Sequence, residues 1–216
     1  MLVLGVCALL AGCATQSAKT KPSEDNDDGL ELVPTSLLQE LYVAPGVPLA
    51  NYKRVMLDPI DVSFKEEFRK EHPNLRDHDY EVFRARLASM LMDKLKAELA
   101  RGGYMVAESP DKDVLRVRAS ITKADFASPE SGEDKRTYVH TMGEMTLRVQ
   151  AFDGPSGALV ARAKDYQQDP PTQALLPADR VSTNVAAMKI IDKWVESIRS
   201  ALDVAKVSAD ARKLPQ

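Results

Sequence analysis

The chain has 216 residues, of which 44% are hydrophobic and 28% are charged, and its formal net charge is -3. This length supports one ordinary hydrophobic core, and the charge argues against a nucleic-acid-binding protein held by phosphate contacts. Both cysteines, Cys7 and Cys13, lie near the start of the chain. A disulfide framework, a thiolate zinc site and a cysteine nucleophile are therefore excluded from the rest of it.

The first residues form an uncharged apolar segment that ends in small residues and a cysteine. The segment from Leu2 to Leu10 suits the apolar region of a signal peptide better than the roughly 20 residues of a membrane span. The following Leu10-Ala11-Gly12-Cys13 resembles the lipobox of bacterial lipoproteins. The resemblance implies that Cys13 receives a diacylglyceryl group and becomes the mature N-terminus. The alternative is a conventional signal peptide that is cleaved after a small residue such as Ala14.

The lipid anchor also predicts where the protein resides. A secretion signal normally begins with Lys or Arg, and this one begins Met1-Leu2-Val3-Leu4, so we expect the translation start to lie upstream. Acylation of the Cys13 sulfur and amine, with palmitate among the acyl groups, would anchor the chain stably because more than one acyl chain is buried. In bacterial lipoproteins generally, a residue other than aspartate after the cysteine favours the outer membrane. Ala14 therefore predicts a lipid-anchored outer-membrane protein whose domain faces the periplasm.

The composition divides the chain into four predicted parts. These are a lipoprotein signal peptide (1–12), an acylated N-terminus with a polar tether (13–30), a single α+β domain (31–206) and a C-terminal tail (207–216). The segment from Thr15 to Gly29 has no apolar periodicity and ends in an acidic run, which is typical of a solvated tether.

The first elements of the domain are a strand and a long helix. Lys53 to Val62 predicts a strand, which Pro59 ends or confines to a sheet edge because proline cannot donate to a ladder. The next apolar residues recur at the three-to-four spacing of one helical face. They are Tyr80, Phe83, Leu87, Leu91, Leu95 and Leu99. Gly102-Gly103 then supplies the stop signal of the helix.

Three strands and a second long helix follow. The strands alternate apolar and polar residues. Their predicted inner sets are Leu115, Val117, Ala119 and Ile121, then Met145, Leu147, Val149 and Ala151, then Leu159, Ala161 and Ala163. The segment from Ala178 to Ala205 predicts a helix with one apolar face, formed by Val181, Val185, Met188, Ile191, Val195, Ile198 and Leu202. The order of elements predicts an α+β fold, with a mainly antiparallel sheet and two long helices packed on one face.

Longer stretches of the chain resemble a known family. The combination of a lipobox, a polar tether and YVAPGVPLANYKRVMLDPIDVSF is similar to a family of Gram-negative lipoproteins catalogued as domain of unknown function 3313 (DUF3313). The resemblance continues through GGYMVAESPDKDVLRVRASIT and so covers most of the predicted domain. It implies an envelope lipoprotein and supplies no catalytic residues.

No enzyme signature is present in the sequence. It lacks G-x-S-x-G, H-E-x-x-H and a glycine-rich phosphate loop. His78 stands beside Asp77, Asp79 and Glu81 and could offer metal ligands, but an aspartate that caps the following helix is the simpler interpretation. The sequence therefore predicts a protein that is not an enzyme and that has no cofactor and no metal site.

The polar faces of the three strands carry the candidate binding residues. Opposite the inner sets lie several cations and one carboxylate, Glu144; the cations are Arg116, Arg118, Arg148, Arg162 and Lys164. Such a face could bind an anionic lipid headgroup, an anionic cell-envelope polymer or an acidic protein surface. The alternative is a solvated face whose cations pair with acidic loops such as Glu130 to Asp134.

A second candidate is the C-terminal helix, where Trp194 widens the apolar stripe. A broad stripe indicates either a partner helix or deep burial in the core. Together these features predict a non-enzymatic adaptor or accessory subunit that binds another envelope protein, polymer or lipid. The alternative is an auxiliary lipoprotein of a transport system that carries lipid-like ligands, which would need a hydrophobic cavity between the helices and the sheet.

Overall fold

The computed structural model describes residues 28–127 and 137–211, with side chains described up to residue 204. Cys13, the signal peptide 1–12 and most of the tether 13–30 lie outside the described residues, as do the acidic loop from Glu130 to Asp134 and the tail from residue 212 onward. The predicted boundaries and the acylation of Cys13 therefore stay predictions.

The described part of the chain folds as one mixed, mostly antiparallel sheet with helices on one face. The strands are β1 (Glu31–Leu32), β2 (Glu40–Val43), β3 (Arg54–Leu57), β4 (Asp61–Phe64), β5 (Met105–Val106), β6 (Val114–Phe126), β7 (Thr137–Val139), β8 (Gly143–Asp153), β9 (Leu159–Gln168) and β10 (Leu176–Ala178). The main sheet has the order β1-β2-β9-β8-β6-β3-β5, and β4 also pairs with β6. Strands β7 and β10 form a separate two-stranded ribbon. The α+β prediction is confirmed.

The long central strands have the inner face that their alternation predicts. The predicted inner residues of β6 and β8 are all buried, from Leu115 to Ile121 and from Met145 to Ala151. On β9 the prediction is correct for Ala161 and Ala163, but the predicted inner residue Leu159 is only half-buried, whereas its neighbour Val160 is buried. The register shifts at this point, so that Ala161 faces Ala151 while Leu159 faces Phe152. Val160 is thus the extra residue of a bulge, which turns it inward.

The predicted strand from Lys53 to Val62 is broken in two. Strands β3 and β4 both run parallel to β6 and flank it in succession. Between them the chain leaves the ladder at Asp58, where Pro59 follows and has no N–H to donate. The break brings Asp58 next to the outer face of β6.

The α-helices of the described residues are α1 (Phe68–Glu71), α2 (Asp77–Arg101) and α3 (Arg180–Ala211). Helix α2 buries every residue of its predicted stripe. The side chain of Asp79 accepts a hydrogen bond of 2.9 Å from the backbone N–H of Arg76, which is the N-cap residue. Asp79 thus stabilises the start of α2 from the third helical position, as part of a capping box, and neither it nor Asp77 is the N-cap residue itself. At the other end Gly103 has a φ of +76°, as a left-handed helix stop requires.

The predicted face of α3 is only half correct. Ile191, Val195 and Ile198 are buried, whereas Val181, Val185 and Met188 are exposed. The buried stripe of the N-terminal half instead passes through Ala187, Ile190 and Trp194. Burial of an indole removes more apolar area from water than burial of a valine, so the helix is rotated to place Trp194 in the core.

The two long helices lie side by side over the inner face of the sheet. Nε of Arg199 in α3 donates a hydrogen bond of 2.7 Å to the buried Glu98 of α2, and Lys94 pairs with Asp192. A single apolar cluster joins both helices to β6, β8 and β9. No helix of the described residues covers the outer face of the sheet.

Candidate ligand-binding groove

The predicted cationic residues do share the outer face of the sheet. Register places Arg118 opposite Gln150, and Gln150 opposite Arg162 on the next strand. Arg148 stands directly opposite Lys164. The alternation of β6, β8 and β9 therefore brings these side chains together as the sequence predicted.

Besides Glu144, this face receives acidic residues from segments outside the three strands. Asp58 accepts hydrogen bonds from Nε of Arg116 at 2.8 Å and from Nε of Arg118 at 3.2 Å. Burial opposes ionisation of this carboxyl group, but the hydrogen bonds and charges of the two arginines outweigh burial and lower the pKa of Asp58 below its ordinary value.

Further acids pair with the cations of β9. Arg162 lies 3.2 Å from a carboxylate oxygen of Asp28 and 4.8 Å from the ring centre of Tyr42. Lys164 lies 3.5 Å from Glu40 on β2. The expectation of one carboxylate on this face is thus wrong, because the chain before β3 contributes acids of its own. Binding of an anionic partner by this face stays a prediction, and such a partner would have to compete with these ion pairs.

Trp194 does not lie at a surface. Its side chain is fully buried, and the indole N–H donates a hydrogen bond of 2.9 Å to Oδ2 of Asp165. Within the folded domain it therefore cannot contact a partner helix. Of the two interpretations of the broad apolar stripe, deep burial in the core is the correct one at this residue.

The buried side chain of Asp165 on β9 joins α3 to the sheet through hydrogen bonds. Besides the indole, it accepts hydrogen bonds from the backbone N–H of Gln39 at 3.0 Å and from the side-chain amide of Gln167 at 2.6 Å. A charge in the core is tolerated when it is hydrogen-bonded in this way. The alternation of β9 puts Asp165 among inward-facing residues, but its role could not be assigned without knowing that Trp194 lies above it.

Beyond Trp194 the helix and the sheet separate and leave an apolar groove. The groove encloses about 570 Å³. Its floor is the inner face of the sheet at Val149, Ala151 and Ala161, and its roof is α3 at Ala201 and Leu202. The volume lies within the range of about 300–1,000 Å³ that is typical of small-molecule sites.

The groove exists because the side chains at this end are small. Ala151 and Ala161 face each other across β8 and β9, and Ala201 lies on the opposing helix. An alanine leaves space that a leucine or isoleucine would fill. The alanines of the predicted inner sets indicated that this part of the inner face has room for a ligand. From the sequence we interpreted them only as core residues.

The mouth of the groove lies where its lining residues are exposed, at β1 with the adjoining Val33 and at a proline-rich loop. Leu32 and Val33 line it and are both exposed. The loop from Ala44 to Leu49 lines the adjacent side, with Gly46 at a φ of +76°. Among the described residues that line the groove, Glu31 is the one with a charged side chain.

Two kinds of feature are absent from the described residues. Within residues 28–127 and 137–204, no group of three or more His, Cys, Asp or Glu side chains is placed to hold a metal ion. In the same part of the chain, no helix combines the length and the apolar character that a membrane crossing needs. His78 is exposed in the first turn of α2.

Comparisons with known proteins identify a family and a set of distant folds. The family model described as protein of unknown function (DUF3313) matches residues 27–198. No curated protein matches the chain.

Three solved structures resemble this one in fold. A PelC dodecamer from Paraburkholderia phytofirmans is 15% identical, with 74% of this chain and 96% of that chain covered and a TM-score of 0.36. A protein of family-model DUF330 from Xanthomonas campestris is 11% identical, with 75% and 90% covered and a TM-score of 0.43. A minor lipoprotein from Acinetobacter baumannii is 10% identical, with 69% and 94% covered and a TM-score of 0.30.

Proposed function

This chain belongs to the DUF3313 family, and we propose that it is a lipid-anchored envelope lipoprotein whose domain carries a lipid-like ligand without catalysing a reaction. The observation that carries this proposal is the apolar groove of about 570 Å³ between α3 and the sheet. A carrier of lipid-like ligands requires a cavity at this place in the fold.

The lining of the groove favours an acyl chain as the ligand. Aliphatic side chains such as Leu115, Val149 and Leu202 surround it, and buried hydrocarbon gains about 0.8 kcal/mol per CH₂ group. An open mouth between β1 and the loop after β2 allows a polar headgroup to remain in water. A hydrocarbon chain with a solvated end fits this geometry.

The proposed anchor would keep the groove near a source of lipid. Cys13 is the proposed acylation site, and Ala14 after it favours the outer membrane. The tether from Thr15 to Gly29 spans roughly 50 Å when fully extended at about 3.3–3.6 Å per residue. A domain on this tether samples the membrane surface and the periplasm in front of it.

Displacement of a fluorescent probe tests the ligand-binding part. The neutral fluorophore N-phenylnaphthylamine is bound to the purified mature chain and displaced by a palmitoyl lysophospholipid. Val204 lines the groove and Val181 does not, and both are exposed residues of α3. We expect Val204→Gln to weaken binding and the matched control Val181→Gln to leave it unchanged. Equal binding by both variants and the wild type would place the ligand elsewhere, and absence of binding would refute the carrier.

The anchor is tested separately in cells. Metabolic labelling with an alkyne-tagged palmitate and fractionation of the two membranes are performed on the wild type and on Cys13→Ser. We expect label and outer-membrane location in the wild type and neither in the variant. Label that persists in Cys13→Ser would refute acylation at this residue.

A second candidate function is an adaptor that docks on another envelope component. The exposed aliphatic residues Val181, Val185 and Met188 favour it, because they form one stripe along the N-terminal half of α3. If a defined partner co-purifies with the protein, Val185→Glu should release it while Glu66→Lys, a charge change elsewhere, should not. Retention of the partner by Val185→Glu would show that this stripe does not bind the partner.

A further inference from the structure

A charged side chain stands at the mouth of the groove. Of the described residues that line the groove, only Glu31 is ionisable. It is exposed, whereas the lining residues deeper in the groove, such as Leu115 and Val117, are buried. A ligand whose chain fills the groove would therefore present its polar end close to a carboxylate.

The backbone holds Glu31 at this position. In the pairing of β1 with β2, Glu31 faces Val43, which also lines the groove. Leu32 faces Tyr42 in the same ladder, and the backbone N–H of Val33 donates a hydrogen bond of 2.7 Å to the carbonyl oxygen of Leu41. The carboxylate is thus attached to a paired strand at the rim and is not carried there by a free end.

We propose that the groove selects lipids whose headgroup carries an ammonium, namely the aminophospholipids of the membrane. This inference rests on the proposed function and adds a ligand class to it. An ammonium at the mouth would pair with Glu31, whereas the terminal carboxylate of a fatty acid or the net negative headgroup of an anionic phospholipid would be repelled by it. The other described residues that line the groove have no charged or polar side chain, so their side chains do not discriminate between these headgroups.

The expected preference is modest because the mouth is open to water. An exposed ion pair changes a binding constant by about fivefold at most. Salt weakens such a pair, since the Debye length falls from about 10 Å at 0.1 M to about 3 Å at 1 M. A preference that arises at Glu31 must therefore decrease with added salt, whereas binding of the acyl chain must not.

The test uses two ligands that differ only in the terminal group. Palmitoyl lysophosphatidylethanolamine and palmitoyl lysophosphatidylglycerol share the chain and the phosphate, and both displace N-phenylnaphthylamine from the mature chain at neutral pH and low salt. We expect the wild type to prefer the ethanolamine lipid by about two- to fivefold. Glu31→Gln should lose the preference and Glu31→Lys should reverse it. The exposed Glu66 does not line the groove, so Glu66→Lys is the control with the same change in net charge.

The possible outcomes separate the headgroup preference from the carrier function. A preference that disappears in Glu31→Gln, reverses in Glu31→Lys and persists in Glu66→Lys supports the inference. Equal affinities in the wild type, or a preference that Glu31→Lys leaves unchanged, would overturn the inference and leave the carrier function standing. Failure of both lipids to displace the fluorophore would overturn the inference together with the carrier function.

Discussion

The inner face of the sheet has two halves that share one sequence pattern and differ in packing. In the closed half, under α2 and Trp194, Ile121, Met145 and Leu147 are 0% exposed. In the open half, under the last described turns of α3, Val149 and Ala161 are each 9% exposed and line the groove. Alternation places a residue on the inner face, but the side chains of the helix above decide whether that face is filled. The open half is therefore where a ligand can bind.

The largest effect is expected at the boundary between the halves. Trp194→Ala removes the largest fully buried side chain and deprives Asp165 of a hydrogen bond. We expect the free energy of unfolding in urea to fall by about 3–5 kcal/mol. A loss below about 1 kcal/mol would show that Trp194 does not separate a closed core from the groove.

A smaller difference is expected between truncations in the two halves. Leu147→Ala in the closed half should cost about 2–5 kcal/mol in the free energy of unfolding. Leu202→Ala should cost less, since Leu202 is only partly buried and borders space that is already open. The same denaturation experiment compares them, and equal losses would contradict the division.

Enlargement of an alanine should distinguish the halves by the size of its effect on stability. Ala119→Leu adds volume to the closed half and should lower the free energy of unfolding by about 1–3 kcal/mol. Ala161→Leu adds the same volume at the floor of the groove, and we expect it to change stability by less than about 1 kcal/mol while it blocks the ligand. Calorimetry and probe displacement on both variants measure the two effects, and a strongly destabilised Ala161→Leu would mean that the groove is not open space.

The smallest effect concerns the outer face, where Asp58 holds Arg116 and Arg118. Its pKa in the folded state lies below the ordinary value, which is about 3.9 in the unfolded chain. The ionised carboxylate thus contributes stability that is fully present above the ordinary pKa and is lost as the pH falls through the folded pKa. Unfolding measured from neutral to acidic pH should therefore show a weaker acid dependence in Asp58→Asn than in the wild type. Identical pH profiles would show that Asp58 is not stabilised by the arginines.

The sequence predicted those parts of the fold in which local periodicity decides the outcome. The stripe of α2 and the inner sets of β6 and β8 are correct because each is a single amphipathic pattern over many residues. The phase of α3 was half wrong because two apolar stripes overlap on it, and only the tertiary contact of Trp194 with Asp165 selects one. No local pattern distinguishes such stripes.

The candidate site depended on contacts between distant segments, which the sequence does not display. Asp58 meets Arg116 across 58 positions of the chain, and Glu40 meets Lys164 through the pairing of β2 with β9. The groove arises because α3 does not fill the inner face of the sheet at this end. An inward-facing alanine such as Ala161 gives the same sequence pattern whether a helix covers it or not. The requirement for a cavity could be stated from the sequence, but its place at the C-terminal end of α3 could not.

Native mass spectrometry of the protein purified from the cell envelope tests whether the open half of the sheet holds an acyl chain. We expect one non-covalently bound lipid on the wild type, retained by Val181→Gln and lost from Ala161→Leu. Wild-type protein without a bound lipid, or a lipid that Ala161→Leu retains, would contradict this expectation.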